Sequence, residues 1–188
     1  MTAHGDHPHE HPHRDLACAI AHGDAPAPVE DRRLVAVFAS PVAMELAHVA
    51  QHVGYQVVVL DPDLSRSCDP LARVPDAGSA GLDARTDVVV TDHDRAELGD
   101  LLADVLRYSP RWIGVMGSLR HTAPHVAALR DRGVPEEAIA RVHRPIGLDI
   151  GSQTPAEIAV STVAGLLADR NQRAGGTYTS ALQRAAGS

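Results

Sequence analysis

Two stretches of this chain set small residues beside carboxylates and hydroxyls, where backbone N–H groups can meet an oxyanion. One spans 144–159, RPIGLDIGSQTPAEIA; the other spans 112–120, WIGVMGSLR. A glycine-rich bend entering a helix turns its amides outward and adds the positive end of the helix dipole. In the first stretch Gly147 and Gly151 bracket Asp149, and Ser152, Gln153 and Thr154 lead to Pro155. Thr154 is the expected N-cap, Pro155 the first helical residue, and Glu157 stands in capping-box position. In the second, Gly117 and Ser118 form the bend and Arg120 closes it. The expected chemistry is capture of a phosphate or another oxyanion at a binding rim. An ordinary glycine loop and helix cap remain the alternative for Thr154, Pro155 and Glu157.

The elements that must carry these bends alternate. LVAVFA at 34–39 reads as a buried strand, and 41–53 carries helical spacing through Val42, Leu46, Val49 and Val53 until Gly54 stops it. QVVVLD at 56–61 is a second strand, and a loop rich in Asp, Pro, Ser and Gly runs on to Ala84. DVVVT at 87–91 is a third strand before a helix over 95–107. WIGVMG at 112–117 is a fourth, before a helix near 122–132. A further helical turn is expected at 135–140 and a long helix at 155–170. Strands of this apolar type, alternating with helices, predict an α/β fold: a doubly wound, Rossmann-like parallel sheet with helices on both faces.

In such a sheet the ligand sits beyond the carboxyl ends of the strands, where strand order reverses. Ser40, the amides of Val42 and Ala43, Asp61, His93 and Asp94 all fall there, and with the two bends they form the candidate cofactor-binding set. Asp61 stands where a dinucleotide-binding domain keeps its ribose-binding acid, about 20 residues past the first turn. The Gly-x-Gly-x-x-Gly that should accompany it is replaced by Phe38-Ala39-Ser40-Pro41-Val42-Ala43. Phe38 fills the place of the tight-turn glycine, so NAD or FAD in the ordinary pose is disfavoured. His93 is a candidate for proton transfer or for holding a polar ligand. The i, i+4 pairs His48/His52 and His121/His125 lack a nearby third ligand and read as helix surface.

Composition narrows the classes. The chain has 188 residues, 44% of them hydrophobic, 3% aromatic, and a formal net charge of −7. That length suits one ordinary domain, and the acidic balance argues against nucleic acid or an anionic membrane as partner. No apolar run approaches the ~20 residues of a membrane span. Cys18 and Cys68 lie in no metal or disulfide spacing, and with no secretory signal the chain reads as cytoplasmic. Lysine is absent, which excludes lysine-based chemistry, and no nucleophile–base pair stands out, so no catalytic residue is assigned. Residues 1–33 read as a disordered His- and Pro-rich leader, 34–172 as the folded domain, and 173–188 as a flexible tail. His4, His7, His9, His11 and His13 of the leader could chelate nickel, zinc or copper.

The run from VGYQVVVLDP through VVVTDHD and WIGVMGSLR to PIGLDIGSQTPAEIAVS resembles the C-terminal Rossmann-like domain of the XdhC/CoxI family. These are maturation factors for molybdenum hydroxylases such as xanthine dehydrogenase and carbon monoxide dehydrogenase. The resemblance covers roughly 34–170 and matches at His93, Asp94, Gly117, Ser118, Gly147, Asp149, Gly151, Thr154, Pro155 and Glu157. It implies a chaperone without turnover of its own, which binds the molybdenum cofactor (molybdopterin), assists its sulfuration and passes it to an apo molybdenum hydroxylase. The implied partners are that hydroxylase and a cysteine-desulfurase-type sulfur donor, with a homodimer as a further expectation. On this view the bends at Gly117-Ser118 and Gly151-Ser152 cradle the terminal phosphate, and Asp149 or Glu157 accepts from pterin N–H groups. The first turn departs from the family's G-A-G-H. The family's N-terminal domain, with its cysteine and glycine-rich segment, is not expected here, where the His-rich leader stands. The competing readings are an NAD(P)-binding oxidoreductase or nucleotide-binding protein, and a metal-carrying module driven by the leader.

Overall fold

The structure is a computed structural model that describes residues 16–26, 31–117 and 123–176. The chain divides into two units, 1–30 and 31–188. In the first, α1 (Leu16–Ala21) is a single short helix. It falls inside the segment expected to lack regular structure, and its sequence LACAIA explains it, since alanine and leucine are strong helix formers.

The second unit is built on a six-stranded, all-parallel sheet: β1 (Arg32–Val37), β2 (Tyr55–Leu60), β3 (Ala72–Val74), β4 (Thr86–Val90), β5 (Trp112–Val115) and β6 (Val142–His143). Their spatial order is β3-β2-β1-β4-β5-β6, the doubly wound order that reverses direction between β1 and β4. Between them run α2 (Pro41–His52), α3 (Leu98–Arg107), α4 (Pro124–Arg130) and α5 (Glu136–Ile139), and α6 (Pro155–Arg170) follows β6. The Rossmann-like sheet expected from the sequence is therefore present.

Side chains alternate across the pleat. Val35, Val37, Val88, Val90, Ile113 and Val115 face one way and pack with Leu98, Leu102 and Val105 of α3, Leu129 of α4 and Ile139 of α5. Leu34, Ala36, Val57 and Val89 face the other, against Leu46 and Ala50 of α2 and Ala159, Val163 and Leu166 of α6. Because both faces are covered, the strands read as continuous apolar runs.

Boundaries differ from the sequence expectation in several places. β1 begins at Arg32, inside the expected leader, because Arg32 and Arg33 already pair with Tyr55 and Gln56. The segment expected as one loop to Ala84 contains β3 and a 3-10 turn, Ala77–Ala80. β3 is a short edge strand held by pairing to Val58–Leu60 rather than by any hydrophobic period of its own. β6 escaped notice for the same reason, pairing through Val142 and His143 with Ile113 and Gly114. α3 starts at Leu98 rather than Arg95, and α4 at Pro124 rather than 122. The final helix matches at both ends.

Candidate functional site

At the carboxyl ends of β1, β2 and β4 the polar groups are tied to one another. Phe38 adopts φ 71, the left-handed region that favours glycine, and its ring is fully buried in the core on the α3 side. The bulky ring therefore points down into the fold rather than across the crevice. Beyond it, the Ala39 N–H donates to Asp61 Oδ2 at 2.8 Å, and the Asp63 N–H donates to Asp61 Oδ1 at 2.9 Å. Asp61 is 0% exposed, and Arg95 Nη2 stands 3.6 Å from Oδ1. Arg95 also lies over the Phe38 ring, 4.8 Å from its centroid, and pairs with Glu97 at 3.0 Å. Asp61 is placed as the sequence suggested, but its oxygens serve the turn itself.

Ser40 is the N-cap of α2, accepting from the Ala43 N–H at 3.1 Å and donating to Thr91 Oγ1 at 2.9 Å. Thr91 Oγ1 in turn donates to the carbonyls of Val37 at 3.0 Å and Phe38 at 2.8 Å as alternative acceptors. Of the donors considered for a phosphate at this turn, the Ala43 amide is thus used by the cap; Val42 is half-buried. His93 and Asp94 follow directly, with Nε2 to Oδ1 at 3.6 Å; Asp94 is exposed and His93 half-buried.

The other side of the crevice is built from β5, β6 and the segment before α6. Gly117 lies just past β5, and a side chain there would meet the Arg144 guanidinium, with Nε 2.6 Å from an added Cβ. Arg144 directly follows β6, whose His143 pairs with Gly114 of β5, and its long side chain reaches along the strand end to Gly117. Ser118 and Arg120 lie outside the described residues. His125 on α4 is 3% exposed rather than on the helix surface as expected, because α4 turns that side inward beside Leu129. Its Nδ1 is buried and has no hydrogen-bond partner among the described residues. Burial lowers its pKa, and the positive charge of Arg144 lowers it further.

The bend 147–151 is held against α6. Leu148 N–H donates to the Ser161 carbonyl at 3.1 Å, and Ser161 Oγ donates to the Leu148 carbonyl at 2.6 Å. Gly147, at φ 85, lets the chain touch the helix, and its Cα is 3.0 Å from where a Cβ on Gly165 would stand. Gly151, at φ 70, has nothing within 4 Å of an added Cβ. Asp149, Ile150 and Gly151 are exposed. The capping box is complete: Thr154 Oγ1 accepts from the Glu157 N–H at 3.3 Å, and Glu157 Oε2 accepts from Gln153 at 2.7 Å and Thr154 at 2.9 Å. Those two amides hold the Glu157 carboxyl below its ordinary pKa. Gly147 and Glu157 thus shape the bend, while Asp149 and Gly151 present it.

At the opposite end of the sheet, buried Asp87 anchors the foot of α6. It accepts from Tyr55 Oη at 2.9 Å, Arg111 Nε at 2.6 Å and Arg170 Nε at 2.9 Å, and Arg111 also reaches Asp169 at 2.5 Å. Burial, then the Asp87 charge, pushes the Tyr55 hydroxyl up to about 12.

Sequence reasoning passed over Arg144 and Arg95, and it read His125 as helix surface. Arg144 opens the very stretch that was singled out, and an arginine at the head of a glycine-rich bend was its available signal. His125 and Arg95 carried none, since their burial follows from packing. The leader histidines His4, His7, His9, His11 and His13 lie outside the described residues, and among the described residues no cluster of three metal-ligating side chains occurs. No helix among the described residues is long and apolar enough to cross a membrane.

A doubly wound parallel sheet with its polar bends gathered at the carboxyl edge defines a Rossmann-type domain. Residues 34–166 match the family model described as the XdhC Rossmann domain, and the chain belongs to that family. It is 33% identical over 157 residues to the uncharacterized protein YqeB of Escherichia coli strain K12, an alignment covering 77% of this chain and 28% of that protein. It also resembles a crystal structure described as a xanthine dehydrogenase from Bacillus halodurans. That likeness has a TM-score of 0.61 and 26% identity, over 76% of this chain and 46% of the other. The chain thus spans less than half the length of either relative.

Proposed function

We propose that this chain is an accessory protein for a molybdenum hydroxylase, binding the molybdenum cofactor at the carboxyl edge of its sheet. The observation that carries the reading is the family match over 34–166, in a fold whose β1 turn is closed by its own hydrogen bonds while the 149–151 bend stands exposed. The residues fit an anionic pterin. Gly151, at φ 70, leaves open space around the bend, and the Asp149 carboxylate is exposed to accept from ring N–H groups. Ser118, Arg120 and Ser152 extend the same two bends. When bound, the cofactor supplies the metal centre that the hydroxylase uses; the chain's part is to hold its phosphate, orient the pterin and limit access of water.

The reading extends to sulfuration and insertion, with an apo hydroxylase and a cysteine-desulfurase-type donor as partners in the cytoplasm. It assigns this chain no turnover. An NAD(P)-dependent role is less well supported, because the Ala39 amide and both Asp61 oxygens needed for a dinucleotide are engaged in the turn. The test is equilibrium binding of molybdopterin to the purified full chain. Affinity that is lost in Asp149→Ala is the expected result; a wild-type protein that binds NADH and not molybdopterin overturns the reading.

A further inference from the structure

The sequence holds two i, i+4 histidine pairs, and the fold treats them differently. His121 lies outside the described residues and His125 is buried. His48 and His52 instead stand together on the solvent side of α2, because Leu46, Ala47 and Ala50 take the face turned to the sheet. Their ring centres are 4.8 Å apart and their planes 87° apart. Among the described residues neither imidazole makes a hydrogen bond or an ion pair, so both are open to an outside ligand. With each nitrogen about 2.0–2.1 Å from a shared ion, and each ring centre about 1.1 Å behind its nitrogen, imidazoles at about 90–110° have centres about 4.5–5.2 Å apart. The observed spacing falls inside that range. A ring centre lies close to the Cβ–Cγ axis. Turning χ2, a broad torsion in histidine, therefore aims both nitrogens at one point while the spacing is kept. His52 is also the final residue of α2, where unpaired carbonyls make the helix end negative and favour a cation.

We propose that His48 and His52 form a two-histidine site for a divalent transition ion of the zinc, nickel or copper class. Imidazole suits these ions, whereas magnesium and calcium prefer oxygen ligands. Two protein nitrogens are fewer than the four ligands of a closed structural zinc site, so water completes the sphere and the ion exchanges. A bound ion clips one turn of α2 at its C-terminal end, just before Gly54 leads into β2. Because α2 starts at the Ser40 turn, that end lies at the opposite edge of the sheet from the strand ends that carry the bends. The site needs neither the bends nor a pterin, so it stands or falls apart from the cofactor-binding reading.

The experiment titrates zinc chloride into the full chain at pH 7.5 and follows each imidazole by two-dimensional NMR. Binding by the leader histidines His4, His7, His9, His11 and His13 is then read separately from binding on α2. The expected result is that the His48 and His52 rings shift together along one saturable curve and return when EDTA removes the metal. His48→Gln should weaken the His52 response at least tenfold, and His52→Gln the His48 response, because each removes one arm of a chelate. Both residues are exposed, so these substitutions spare the core. His143→Gln, which removes an exposed histidine stacked on Trp112, should leave the curve unchanged. Magnesium chloride at the same concentration should shift neither ring. Zinc shifts confined to the leader histidines overturn the proposal, and so does an undiminished His52 response in His48→Gln. Equal shifts with magnesium overturn it as well.

Discussion

Ser40 Oγ stands 2.9 Å from Thr91 Oγ1, joining the ends of β1 and β4 at the point where strand order reverses. In a dinucleotide-binding domain this gap receives the pyrophosphate. Here the two hydroxyls, with Ala39 bound to Asp61, fill it from within.

Thr91→Val should therefore destabilise the domain without creating a dinucleotide site. The substitution keeps the shape and removes a buried hydroxyl that serves two carbonyls and Ser40. Leaving such groups unpaired costs about 1–3 kcal/mol. Urea unfolding should show that loss, while NADH fluorescence in the same variant should show no gain of binding.

Tyr55 makes stability fall in alkali. Its folded pKa is raised to about 12, so the folded state keeps a proton that the unfolded chain releases from its ordinary value of 10.0 upward. The contribution is complete below 10.0 and is lost as pH rises through about 12. Denaturation midpoints measured between pH 9 and 11.5 should fall more steeply for wild type than for Tyr55→Phe. Equal slopes would show that the hydroxyl is not held protonated by its buried place beside Asp87.

The two glycines around Asp149 should behave differently. Gly147→Ala puts a methyl 2.5 Å from Ser161 Oγ at φ 85, whereas Gly151→Ala meets nothing within 4 Å and bears only the cost of φ 70. That backbone cost is about 1–2 kcal/mol, and overpacking adds roughly 1–3 kcal/mol more at Gly147. Thermal unfolding should rank wild type above Gly151→Ala and Gly151→Ala above Gly147→Ala.

His125 should make the fold sensitive to mild acid. Its folded pKa lies below the ordinary 6.5, through burial first and the Arg144 charge second. Its neutral form thus supports folding above 6.5, and that support is lost as pH falls through the lower folded value. Comparing wild type with His125→Gln by urea unfolding from pH 7.5 to 5 should give a steeper acid decline for wild type. Parallel curves would contradict the buried neutral imidazole.

Much of this architecture was readable from residue order alone, because its causes are local. Apolar strands such as YQVVVL and TDVVV announce burial on both faces, and Thr154, Pro155 and Glu157 close a capping box within a single turn. Even the misfit of Phe38 was visible, since it occupies a left-handed position that glycine prefers. The short strands at Ala72–Val74 and Val142–His143 were not legible, because pairing to a neighbour creates them and their own sequence has no period. Nor was the state of the rim. Ala39 meets Asp61 across 22 residues and Ser40 meets Thr91 across 51, and such pairs exist only once the sheet has set its register. A hydrogen-bond donor in a sequence is only an offer; packing decides whether a partner inside the fold accepts it first. That is why the chain's order offered donors at the carboxyl edge, while the folded arrangement alone closed the turn at Ser40 and set Arg144 against Gly117 on the other side.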